Sequence, residues 1–125
     1  MELSLLVRPS AEAKQALEQL RDDVIEIMRD MPVWSEAPVG NLSTIPLGVL
    51  RKNATQRHGV TRWKRGVNLD AMNIEDVEVI DLHPRLLEAK WRPYGAFVLH
   101  HEYIHALGFR AHDSTFRALE AAWPG

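Results

Sequence analysis

Between residues 10 and 31 apolar side chains recur at steps of three and four: Ala13, Leu17, Leu20, Val24, Ile27, Met28 and Met31. This is the period of an α-helix with one buried stripe. Glu12, Lys14, Glu18, Arg21, Asp22 and Arg29 fall on the opposite, solvated face. Ser10 can cap the start of this helix, and Pro32 stops it. Pro32, Pro38, Gly40 and Pro46 mark residues 32–46 as a connecting stretch. Val, Thr and Trp then become frequent, and strands are expected near 47–52 and 55–64. Gly48, Gly59 and Gly66 punctuate them, which suggests a hairpin. Residues 77–82 form the clearest strand, bounded by His83 and Pro84. Pro84 suits the first position of a short helix ending at Trp91. Residues 92–95, Arg-Pro-Tyr-Gly, break the chain. A further helix is expected from about Tyr94 to Leu107, with Gly108 as its C-terminal cap. A last short helix follows Asp113 or Ser114, either of which can cap it.

Composition narrows this α+β reading. With 125 residues, 46% of them apolar, the chain can build one core, so residues 1–125 are read as a single domain. A formal charge of −2 exerts no overall pull towards nucleic acid or anionic lipid. The absence of cysteine excludes disulfides and Cys-ligated zinc modules. The apolar run at residues 3–7 is too short for a signal peptide, and no stretch is long enough to span a membrane. The expected location is the cytoplasm.

The chemistry concentrates at residues 100–113, which contain H-E-x-x-H as His101, Glu102 and His105. Four residues apart on a helix, two imidazoles lie about 40° apart on one face, one turn along. They can converge on one ion, and Glu102 can reach a water on that ion without itself being a ligand. A hydrolytic zinc site needs three protein ligands and an open position. His112, seven residues after His105, is the nearest third ligand. Glu120 is its rival, and Asp113 could orient an imidazole through its other nitrogen. His100 points about 100° away from His101 and is read as structural. His83 reads as a helix N-terminal residue, and His58 as a solvent-exposed residue of the hairpin.

Residues 101–116, HEYIHALGFRAHDSTF, resemble the SprT-like and related small zincin metallopeptidases. In that family a downstream His, followed three or four residues later by an aromatic, completes the metal site. His112 and Phe116 match this pattern. Residues 56–66 resemble the family's basic hairpin, and residues 79–87 its next strand and turn. The small size is similar to that of the archaeal minigluzincins. The resemblance implies a minimal zincin fold: an N-terminal backing helix, a small twisted β-sheet, the active-site helix and a short C-terminal helix. It also implies Zn2+ and peptide-bond hydrolysis, with Glu102 as general base towards a zinc-activated water. The chain differs from SprT proteins in having no Cys-rich ribbon. It differs from metzincins in the later position of His112 and in having no Met-turn.

Tyr94 and Arg110 are candidates for a second electrophile. Residues 77–82 are either the strand that pairs with an extended peptide substrate or an inner strand. Arg51, Lys52, Arg57, Arg62, Lys64 and Arg65, with Trp63 among them, offer nucleic acid as an alternative partner. A latent zinc-binding module is a third reading, with residues 121–125 either packed over the cleft or, through Trp123, completing the core.

Overall fold

The computed structural model describes residues 8–68 and 70–125; the apolar run at residues 3–7 lies outside them. Helix α1 spans Ala11–Arg29, and the Ser10 side chain accepts from the Ala13 N–H as its N-cap. Leu17, Leu20, Val24 and Met28 are buried as the period requires, and Ile25 joins them. Short 3-10 turns, Pro32–Trp34 and Val39–Thr44, occupy the Pro- and Gly-rich connection.

The three strands are β1 (Leu47–Val49), β2 (Gly59–Trp63) and β3 (Val77–Leu82), arranged in the order β1-β3-β2. β1 runs parallel to β3, with Leu47 opposite Ile80; β2 runs antiparallel to it, with Gly59 opposite Leu82. The hairpin expected over residues 51–65 therefore does not form. β3 lies between the two strands that were to pair, and residues 50–58 are turns and irregular chain. β3 is an inner strand with both edges used, so it cannot accept a substrate strand. Along β3, Ile80 and Leu82 are fully buried, whereas Asp81 on the other face pairs with Arg62 at 2.9 Å.

The short helix expected from Pro84 is instead two 3-10 turns, Pro84–Leu87 and Ala89–Trp91. They lead directly into α2, Arg92–Ala106, so the expected break at residues 92–95 is the first turn of a helix, with Pro93 among its first positions. α2 packs against α1 on one side and β2 and β3 on another. Val98, Leu99, Tyr103, Ile104 and Ala106 bury most of its circumference. The short helix α3, Ser114–Ala121, packs back against α2. One apolar core runs from Leu17 through Ile80 and Leu99 to Phe116 and Trp123. Among the described residues no helix is long and apolar enough to cross a membrane.

Candidate metal centre

One face of α2 stays partly open, and His101 and His105 occupy it one turn apart. The helix ends at a turn built by Gly108, whose φ of 111° suits a residue without a Cβ. The Gly108 N–H donates to the His105 carbonyl and the Phe109 N–H to the Ile104 carbonyl, a Schellman pattern. The turn sends the chain back along the helix, and His112 reaches the pair. Its Nε2 lies 3.1 Å from His105 Nε2 and 3.2 Å from His101 Nε2. The ligand atoms of His101, His105 and His112 all lie within 4.8 Å of one another.

The spacing fits an ion. For nitrogens about 2.0–2.1 Å from a tetrahedral metal, the ligand-to-ligand edge is about 3.3 Å. The protonation pattern fits as well. His105 Nδ1 lies 2.8 Å from the Phe109 carbonyl, which can only accept, so the ring proton is on Nδ1. His101 Nδ1 lies 2.6 Å from a Glu120 carboxylate oxygen and donates to it. Both helix imidazoles thereby present an unprotonated Nε2 to the same point. Burial pushes the His105 pKa down, against the pull of the Phe109 carbonyl, and neighbouring His101 and His112 lower it further. Burial thus favours the neutral ring, the state in which an imidazole ligates.

Glu120 therefore sits on the far nitrogen of His101 and not among the three converging nitrogens. Asp113 does not orient an imidazole; its side chain accepts from the Phe116 N–H at 2.9 Å and caps α3. That cap starts the helix on which Phe116 and Glu120 stand four residues apart, on one face. Phe116 is buried and forms the floor of the site, its ring 4.8, 4.7 and 4.9 Å from those of His101, His105 and His112.

Glu102 points from α2 towards β2 and is buried. Thr61 Oγ donates to its Oε1 at 2.8 Å, and its Oε2 lies 3.9 Å from His101 Nε2. Burial raises the Glu102 pKa; the Thr61 hydrogen bond and then His101, His112 and Arg57 oppose the rise. A carboxylate whose pKa is raised is a better proton acceptor than an ordinary glutamate. Gly59 lets β2 lie this close: a Cβ there would stand 2.9 Å from Val98 Cγ1 and 3.1 Å from Glu102.

These groups open onto a cleft of about 870 Å³ lined by β2, α2, Arg110 and His112. Tyr94 and Arg110, the two candidate electrophiles, both line it. His58 is exposed, as expected, but is partnered: its Nδ1 lies 2.8 Å from the Tyr94 hydroxyl. His83 caps the turn at Pro84 through Nδ1. His100 is fully buried, accepts from Trp34 Nε1 at 3.1 Å and stacks on Trp123. Trp123 thus completes the core and is not part of the cleft lining. The basic residues of 51–65 do not share a hairpin face, because Arg57 turns to the cleft and Arg62 pairs with Asp81.

Sequence reasoning did not find Thr61 or the Phe109 carbonyl. The first lies 41 positions from its partner, and the second is a backbone atom. No family model matches the chain, and no curated protein or solved structure is significantly similar to it.

Proposed function

We propose that this chain is a zinc-dependent peptidase of minimal zincin architecture, with His101, His105 and His112 as ligands and Glu102 as general base. The observation that carries the reading is the convergence of three Nε2 atoms, two of them with their tautomers set from behind, beside a buried carboxylate that is not itself one of the three. Three imidazoles with no thiolate suit zinc, and three ligands leave a position for chemistry. Bound there, zinc would supply polarisation of a carbonyl and acidification of a water.

The rest falls to the chain's own residues. Glu102 takes a proton from the attacking water and delivers it to the leaving nitrogen. The Thr61 hydroxyl holds Oε1 and leaves Oε2 directed towards His101. Tyr94 and Arg110 line the cleft and are the candidate donors to an oxygen that gains charge in the transition state. β2 uses one edge for β3, and its residues line the cleft. An extended peptide can lie along it as an added strand.

The test is Glu102→Gln. The variant should still bind about one zinc per chain, as a three-ligand site requires. Its peptide hydrolysis should fall about 10²–10⁴-fold, the usual contribution of a positioned base. A variant that cleaves as fast as the wild type would remove Glu102 from the mechanism.

A further inference from the structure

Beside the cleft lies a second cavity of about 250 Å³, with Lys52, His58, His83, Arg85, Trp91 and Tyr94 among its lining residues. No acid lines it. Lys52 and Arg85 are exposed and form no ion pair among the described residues. The Arg85 guanidinium is held over the Trp91 ring, 6.0 Å from its centre. His83 is buried, and its Nδ1 accepts from the Arg85 N–H at 3.1 Å. A neutral His83 therefore carries its proton on Nε2 and adds a third donor group. Three donors without an acid are a cradle for an anion with oxygen acceptors.

The cavity is continuous in its lining with the cleft. His58 and Tyr94, joined at 2.8 Å, line both. Tyr94 precedes His101 by seven residues on α2, about 10 Å along the helix axis at 1.5 Å per residue. An extended peptide covers that distance in about three residues.

We propose that this cavity is a substrate subsite for a carboxylate two to four residues from the scissile bond, supplied by an Asp or Glu side chain or by a chain end. The inference rests on the peptidase reading of the cleft and names the class of peptide it takes. The volume admits a side chain or a terminus, and the carboxylate is the anion an unmodified peptide brings.

Two measurements test it. Three blocked tetrapeptides are titrated into the zinc-loaded Glu102→Gln protein while the His83 and Trp91 ring signals are followed by NMR. One ends in Asp-amide, one in Asn-amide and one in a free alanine carboxylate. The Asp-amide peptide should bind about tenfold more tightly than its Asn counterpart, the scale of one charge-assisted hydrogen bond. Arg85→Gln and Lys52→Gln should each erase most of that difference. Binding of the free-carboxylate peptide alone would assign the cavity to chain ends. Equal binding of all three peptides, or no effect of Arg85→Gln, overturns the proposal. The second measurement maps cleavage sites of the wild-type protein in a peptide mixture. Carboxylates should be enriched two to four residues from the cut, and Arg85→Gln should lose that enrichment. Cleavage without such enrichment, and with no Asp preference in binding, sinks the subsite and leaves the peptidase standing. Arg85-dependent carboxylate binding with no cleavage of any peptide sinks the peptidase and leaves the anion site.

Discussion

An imidazole ligand is set as much by the nitrogen facing away from the ion as by the one facing it. In His101 that nitrogen donates to Glu120 and in His105 to the Phe109 carbonyl. Removing such a partner typically costs a site about 10–100-fold in metal affinity. Glu120→Ala should therefore weaken zinc binding by that order, whereas His112→Ala should remove stable binding. Competition against a chelator of known affinity separates the two. Equal losses would mean that Glu120 is itself a ligand. His100 illustrates the opposite case, a histidine that must not ionise. Its Nε2 accepts from Trp34, while its Nδ1 is sealed from solvent with no partner. Burial pushes its pKa down to about 4, against the nearby Glu120 carboxylate and helped by His101. The unfolded chain takes up this proton near pH 6.5 and the folded chain only near pH 4. The associated stability is complete above about pH 6.5 and is lost as pH falls towards 4, at most roughly 3 kcal/mol. His100→Gln keeps an acceptor for Trp34 and removes the titration. In chelator-treated protein, denaturant unfolding at pH 7 and pH 4.5 should show a larger acid loss for the wild type than for the variant. Equal losses would mean that the acid sensitivity arises elsewhere.

At the scale of elements, the contact between β2 and α2 is the one that the chemistry depends on. A methyl group at Gly59 meets Val98 and Glu102 closer than ordinary contact allows. Either β2 lifts or Glu102 turns, and either change moves the carboxylate. Gly59→Ala should lower stability by about 1–3 kcal/mol, as overpacking does. It should lower kcat/KM by more than about tenfold, since small misplacements of a reacting group are costly. An unchanged kcat/KM would show that β2 does not hold Glu102 in place. The helices were legible in the sequence because their signals are local. Six apolar positions at helical steps, from Ala13 to Met28, lie within α1, and Asp113 defines the start of α3. β3 was legible through its apolar, β-branched run and its His83-Pro84 boundary. β1 and β2 were legible as strands within residues 47–52 and 55–64, but their bounds and partners were not, because three and five residues carry little period and their pairing depends on β3, downstream of both. Adjacent strands invite the reading of a hairpin, and only the non-local register shows that β3 lies between them. The site divides in the same way. His101, Glu102 and His105 follow from helical spacing alone. The choice of His112 over Glu120 depends on where the Gly108 turn and the Asp113 cap send the chain. Thr61 depends on which strand lies over α2.

For the whole molecule, the question is whether the metal builds the fold or tightens it. The apolar residues buried between α1, the sheet and α2, from Leu17 to Ile104, include none of the three converging histidines. His101 and His105 stand on α2, whereas His112 belongs to the segment between Gly108 and α3. An ion held there would pin the C-terminal segment and α3 to a helix that is already anchored. Small zinc modules behave differently, because they have no core without metal and unfold when it is removed. Here chelation should leave the far-UV circular dichroism largely intact. Free zinc at about a thousand times its Kd would stabilise the folded state by about 4 kcal/mol. For a domain of this size each kcal/mol moves Tm by about 3–6 °C, so zinc should raise Tm by roughly 10–20 °C. The change should concentrate at the C-terminal end. On chelation, hydrogen exchange should speed up most from Gly108 through α3 and little in α1 or β3. Unchanged melting with and without zinc would mean that the three histidines hold no ion. Loss of all helical signal on chelation would mean that the core does not stand without it.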